Sequence, residues 1–296
     1  MKTKQISYVL YLLLLLVGVN KVSYAQRQLD DAFFSFEGGF LLNSARDELV
    51  SPLRYTGLNS SFSLGMNWYR ERHLSNLSLQ FTGGSVYSTQ DNTERGDPPS
   101  LSRINLNYDR LYQLNFSFKK WDFYAGGSLA NTFVYRVNDE FDNAAYTYDY
   151  YSTLGPAFGT IRRWQKEKRD RHLWFLKWHQ KPHFMELSYQ LSTGLIGVGI
   201  RPGYQVIQNF QGDDSYWEVF TRDENVFAGT VNRIFSLDSR LKLTWFFLNG
   251  NAFSFNYQWN YYRLNNTRQS GDNVVEGSMN GFSTSLYLKL NSTAKK

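Results

Sequence analysis

The stretch LNGNAFSFNYQWNYYRL, residues 248–264, decides the fold. After Asn249-Gly250-Asn251, the residues Phe253, Phe255, Tyr257, Trp259 and Tyr261 fall on one parity. Ala252, Ser254, Asn256, Gln258 and Asn260 fall on the other. Successive side chains of a strand point to opposite faces, so this is a strand with one aromatic wall and one wall of amides and hydroxyls. The Asn-Gly-Asn segment before it has turn chemistry, because Gly and Asn tolerate the backbone of a tight turn.

The same period recurs along the chain. Leu58, Phe62, Leu64, Met66 and Trp68 oppose Asn59, Ser61, Ser63, Gly65 and Asn67. Ile104, Leu106, Tyr108, Tyr112 and Leu114 oppose Arg103, Asn105, Asn107, Asp109 and Gln113. Read this way, the segments 32–43, 58–70, 73–87, 103–118, 121–135, 146–161, 183–204, 226–248, 252–263 and 277–290 are strands. The count is about ten, and an even number puts both termini on one side. Breaks near Thr193-Gly194-Leu195 and Leu237-Asp238-Ser239 would raise it to about twelve. Eight would mean discarding well-patterned segments. The connections 44–57, 88–102, 136–145, 208–225 and 264–276 read as long and polar, while Tyr69–His73, Lys119-Lys120 and Asn249-Gly250-Asn251 are short.

Residues 1–25 read as a secretory signal. Lys2 and Lys4 precede an apolar run from Tyr8 to Val19, and Ser23-Tyr24-Ala25 offers a small-residue cleavage site ahead of Gln26. That run is too short to cross a bilayer, which takes roughly 20 residues. Residues 26–296 then form a single domain. Loss of Lys2, Lys4 and Lys21 lowers the net charge from +6 to +3, too little and too scattered for a nucleic-acid partner. With no cysteine, stability must come from backbone pairing and burial rather than disulfides.

A soluble sandwich alternates too, so the polar face has to decide. Here it is rich in Asn, Ser, Gln and Gly and sparse in Lys and Glu, as an enclosed wall requires. Aromatics gather at strand ends, at Trp68, Tyr69, Trp121, Trp259 and Tyr261, where rings can sit in lipid with polar tips among headgroups. In hydrocarbon every backbone group must be paired, so the sheet must close. The expectation is a closed antiparallel transmembrane up-and-down β-barrel with short periplasmic turns and longer extracellular loops. At eight to ten strands its interior is largely filled by side chains.

The signal segment, the Asn249-Gly250-Asn251 turn between aromatic-faced strands and the closing strand Gly277–Leu290 resemble those of small outer-membrane β-barrel proteins of Gram-negative bacteria. The resemblance implies an outer-membrane location, periplasmic termini, contact with outer-membrane lipid and lipopolysaccharide, and passage through the barrel-insertion machinery. It implies no cofactor. The chain departs from the class in ending on STAKK, with Leu290 its last apolar residue.

Asn105, Asn107, Asp109, Asn256, Gln258 and Asn260 are the expected polar lining of the lumen. Arg103, Glu186 and Arg201, lying in or at the ends of strands with Asp109 and Arg136, are expected to form an internal ion network, since a buried charge without a partner is costly. The alternative for them is a narrow selectivity constriction. His73-Leu74-Ser75-Asn76 is similar to the His-x-Ser-Asn stretch of outer-membrane lipid A deacylases, which implies His73 and Ser75 as a catalytic pair. No Glu stands at the expected distance, where Ser85 and Tyr87 occur. The function expected is therefore non-enzymatic, either narrow small-solute passage or a structural or surface-interaction role, with a lipid-modifying enzyme as the alternative. The basic-aromatic segment 162–183 reads as a solvated turn with interface anchors, or as a contact for anionic headgroups, lipopolysaccharide or peptidoglycan. Its histidines have no carboxylate partner at metal-ligand spacing, so no metal site is expected. The acidic connection residues, among them Asp91, Asp139 and Asp213, read as loop solvation or as sites for bridging divalent cations.

Overall fold

A computed structural model describes residues 31–48, 51–88, 98–138, 146–166, 169–173, 176–180, 183–201, 225–266 and 274–290. The signal segment 1–25 lies outside them. The described chain is all β, in fifteen segments: β1 (Asp31–Asp47), β2 (Ser51–Tyr69), β3 (His73–Ser85), β4 (Tyr87–Ser88), β5 (Ser100–Phe118), β6 (Trp121–Val137), β7 (Tyr146–Lys166), β8 (Arg169–Leu173), β9 (Leu176–Gln180), β10 (His183–Gly194), β11 (Ile196–Ile200), β12 (Val226–Thr230), β13 (Ile234–Phe246), β14 (Ala252–Asn265) and β15 (Val274–Leu290).

Ten of these are barrel staves, each antiparallel to its neighbours: β1, β2, β3, β5, β6, β7, β10, β13, β14 and β15. The barrel closes by residue pairing. The path Asp31↔Tyr69↔Leu74↔Leu111↔Gly126↔Ala157↔Ser192↔Asp238↔Asn260↔Met279 returns to β1 at Asn43. That is twelve residues above its start, a shear of 12 over ten strands. With a rise of about 3.3 Å per residue and strands about 4.8 Å apart, the staves tilt by roughly 40°. Among the described residues the ten staves close on themselves, so the barrel wall has no edge strand.

β4 extends β3 along β2, with Tyr55 opposite Ser88. β11 and β12 likewise prolong two staves and pair with each other, Ile196 opposite Thr230. The break sensed near Thr193-Gly194-Leu195 is real: β10 yields to β11 at Leu195, whose N–H donates to the Leu154 carbonyl at 3.1 Å. Gly155 is required there, because a Cβ on it would lie 1.8 Å from the Thr193 carbonyl oxygen. No break falls at Leu237-Asp238-Ser239; β13 runs through it, and the interruption is the turn at 231–233.

The end at which the described barrel begins and ends, where Ala32 pairs with Leu290, is called here the near end. Its turns at 70–72, 119–120 and 247–251 are short. At 247–251, Gly250 takes φ 87° and Asn249 Oδ1 accepts from the Asn251 N–H at 3.1 Å. Lys119 and Lys120 both have positive φ, 49° and 71°, in a two-residue hairpin turn of the kind that favours Asn-Gly.

Two connections depart from the expected alternation of lengths. Segment 44–57 is not a long loop: β1 and β2 stay paired up to Asp47↔Ser51, leaving only 48–50 between them. Its polar residues Ser44, Arg46, Arg54 and Thr56 are the outward positions of a ribbon that runs on beyond the apolar zone. At the near end, the segment between β7 and β10 is longer than a turn and contains β8 and β9, a separate two-stranded sheet in which Arg169 pairs with Gln180 and Leu173 with Leu176.

The two walls follow the sequence parity. Outside stand Phe40 and Leu58, each 65% exposed, and Phe282, 72% exposed, with Phe62, Leu154, Phe158 and Phe255. Large apolar side chains cover the outer wall while amides and hydroxyls are buried inside, the reverse of a water-soluble fold. Among the described residues no helix is long and apolar enough to cross a membrane; the crossing elements are strands.

Candidate functional site

The lumen is built from the inward parity of all ten staves, and it is filled in three levels. At the far end, opposite the near end, Ala45, Val86, Leu101, Val134, Phe227, Ile234, Leu264 and Val275 turn inward and pack together with Tyr151 and Tyr262. The two tyrosine rings stack at 5.3 Å. Set among them are two arginines and two aspartates from distant parts of the chain. Arg201 reaches Asp47 at 2.5 Å and Asp149 at 2.6 Å, and Arg136 reaches Asp47 at 3.2 Å and also pairs with Asp149. The Arg136 guanidinium donates to the Tyr262 hydroxyl at 3.3 Å. Asp149 and Arg201 are buried, so mutual neutralisation is what makes the cluster tolerable.

Below this lies a polar belt. Arg103 donates to Asn105 at 2.8 Å, Asn260 at 2.9 Å and the Tyr151 hydroxyl at 3.0 Å, and its guanidinium lies 5.2 Å from the centre of the Tyr262 ring. Asn105 donates on to Gln80, and Gln80 to Ser61. Across the lumen Asn256 donates to Ser285 at 2.6 Å, while Ser283 and Ser285 donate to the Glu37 carboxylate at 2.6 and 2.9 Å. Arg240 spans the middle, 2.7 Å from Asp238 and 3.9 Å from Asp109.

The near end is closed by rings. Phe33, Tyr69, Phe246 and Tyr287 pack with Ala252, and Phe33 meets Tyr69 edge-on at 5.6 Å. Leu111, Tyr124, Ala157, Ile161 and Leu74 form a second apolar group. Arg163 pairs there with Glu186 at 2.8 Å and Asp122 at 3.7 Å.

The interior cavities lined by described residues include ones of about 80, 30 and 30 Å³. Arg240 stands in the wall of all three. At about 10–15 Å³ per water, the first has room for roughly five to eight waters and the other two for two or three each. Asn76 Oδ1, Asp109 Oδ2 and Gln190 Nε2 are buried in the wall of the 80 Å³ cavity without a hydrogen-bond partner. Among the described residues no group of three His, Cys, Asp or Glu side chains is placed to hold a metal ion.

The residues singled out from sequence are distributed as follows. Asn105, Asp109, Asn256, Gln258 and Asn260 are buried on the inner wall, and Asn107 lines two of the cavities. Arg103, Glu186 and Arg201 do not make one network. Arg201 belongs to the far-end cluster, Glu186 to the near-end pair, and Arg103 donates to neutral acceptors between them. The reason is height: residues of like parity stand at different levels according to their position along their staves, Glu186 near the near-end start of β10 and Arg201 past the far end of β11. Tyr69 is not an outer anchor, because its odd parity on β2 turns it inward onto Phe33. Trp68, Trp121, Trp259 and Tyr261 keep the outward parity, Trp121 under the Arg162 guanidinium at 5.9 Å and Tyr261 donating to Glu276 at 3.2 Å. His73 and Ser75 also face outward, at the foot of β3, where the imidazole lies 5.9 Å from the Tyr112 ring. Among the described residues no hydrogen bond joins that imidazole to Ser75. The acidic residues Asp91, Asp139 and Asp213 lie outside the described residues.

Asp47, Asp149, Arg163, Asp238 and Arg240 were missed. The signal that finds Asp149, Asp238 and Arg240 is a charge on the polar parity inside a strand, as in Asp149 within YTYDYY; Arg163 and Asp47 fall in segments whose polar composition reads as a turn and a loop.

No protein-family model matches the sequence, and no curated protein matches it. Solved structures do. The outer membrane protease OmpT from Escherichia coli superposes with a TM-score of 0.53 at 9% identity, over 90% of this chain and 99% of its own. The transport unit of the autotransporter AIDA-I from E. coli gives 0.41 at 9% identity, over 97% and 98%. Ail, the attachment invasion locus protein of Yersinia pestis, gives 0.26 at 8%, over 88% and 99%. The first likeness is one of fold, and at 9% identity it carries no activity across. The chain has the fold of the small Gram-negative outer-membrane β-barrel proteins.

Proposed function

We propose that the protein is a resident of the bacterial outer membrane with a closed lumen and a non-enzymatic role, exerted through its two ends rather than through a pore. The near end, where the described barrel begins and ends and the turns are short, faces the periplasm, and the far end presents the longer connections outside. The observation that carries this reading is the far-end seal, where the Asp47–Arg136–Asp149–Arg201 cluster is embedded in inward-facing apolar side chains. A solute path would have to break four buried ion pairs there and then part the rings at the near end. Small-solute passage, the other reading the sequence allows, is disfavoured by the small size of these cavities, of about 80, 30 and 30 Å³. Catalysis by His73 and Ser75 draws no support from their outward placement at the foot of β3.

Planar-bilayer recording on the refolded protein tests this. The expected trace has no steady single-channel current. A stable open conductance in the unaltered protein would falsify the closed reading and restore solute passage.

A further inference from the structure

The two ends of the barrel differ in charge. The near-end connections 70–72, 119–120, 167–182 and 247–251 hold nine Lys or Arg against three Asp or Glu. The far-end connections 48–50, 89–99, 138–145, 202–224 and 266–273 hold three against thirteen. At the foot of β5, β6 and β7 the basic groups stand beside outward aromatic rings. Lys119 Nζ lies 5.1 Å from the centre of the Phe118 ring, and the Arg162 guanidinium 5.9 Å from that of Trp121. Phe118 is exposed, and Trp121 pairs with both Phe118 and Arg162, so the two contacts form one strip across three adjacent staves. Higher on β5, Arg110 lies over the outward ring of Tyr112 at 5.4 Å. Rings at the edge of an apolar wall, with cations beside them, mark the level of lipid headgroups. The turn itself adds an independent sign: Lys119 and Lys120 occupy two positive-φ positions that Asn and Gly would fill with less strain.

We propose that this near-end strip binds the phosphate groups of anionic phospholipids in the periplasmic leaflet. Lys119, Lys120 and Arg162 supply the charge, and Phe118 and Trp121 meet the upper acyl chains. A lipid fits better than a soluble polyanion because the cations lie against rings that face hydrocarbon. The proposal rests on reading the near end as periplasmic.

The test is competitive lipid retention. Purified protein is equilibrated with an equal mixture of phosphatidylglycerol and phosphatidylcholine in detergent, and the co-purified lipids are quantified by mass spectrometry. The unaltered protein should retain phosphatidylglycerol preferentially, with a ratio that falls as salt is raised. Lys119→Asn with Lys120→Gly removes two charges while giving the turn its favoured residues, so folding should be kept. Each charge removed, Arg162→Gln included, should lower the ratio roughly fivefold. Heat-modifiable gel mobility confirms that each variant is still a barrel. Equal retention of the two lipids by the unaltered protein overturns the proposal. So does an unchanged lipid ratio in the variants together with lost pelleting on purified peptidoglycan, which would assign the strip to that polymer. Failure of the outer-membrane reading itself would show differently, as fractionation of the full-length protein with soluble proteins.

Discussion

On β14, Phe255 is 54% exposed and its neighbour Asn256 is 5% exposed. The outer wall of this barrel is apolar and bare; the inner wall is polar and covered. Each would be a fault in a soluble protein. The outer wall is stable only in contact with hydrocarbon, and the inner only because its polar groups find one another. The inner wall therefore depends on partners, residue by residue, whereas the outer wall depends on a solvent. This difference predicts how each responds to substitution.

The largest effect belongs to the inner wall. Asp149→Ala leaves Arg136 and Arg201 to share the single carboxylate of Asp47, and removing one member of a buried ion cluster costs about 3–5 kcal/mol. Urea unfolding in lipid vesicles should show that loss, and a change under about 1 kcal/mol would mean water already reaches the cluster. Next comes the outer wall. Phe282→Arg should cost about 2–4 kcal/mol if that position faces the membrane interior, against almost nothing on a water-exposed surface. The same unfolding assay decides, and a neutral result would break the reading of the outer wall. The smallest effect is expected for Phe33→Leu in the near-end ring cluster, about 1 kcal/mol, because a smaller apolar side chain still fills most of the site. A loss as large as that of Asp149→Ala would show that rings, rather than charges, hold the lumen together.

The barrel was legible from its alternation, but its sites were only partly so. Parity told which residues share a wall, and Asn256, Gln258 and Asn260 lie on the inner wall. Parity does not tell height. Arg103, Glu186 and Arg201 share a wall and stand in separate clusters, because they lie at different positions along their staves. Composition misleads at Tyr69, where an aromatic at a strand end has the look of an interface anchor and is instead part of the inner plug. It misleads again at 44–57, where polar residues mark a paired ribbon beyond the apolar zone rather than a loop.

What the sequence determined by itself is the two-walled strand and, from it, a sheet that must close. LNGNAFSFNYQWNYYRL already contains both walls and the turn that starts them. Only the tertiary structure decided that the register returns to β1 twelve residues up, and so which distant charges meet. Asp47, Arg136, Asp149 and Arg201 span more than half the chain, and nothing local in any of the four specifies the others. Alternation is set residue by residue by backbone geometry, whereas shear is a property of the closed ring, fixed only when all ten staves have paired.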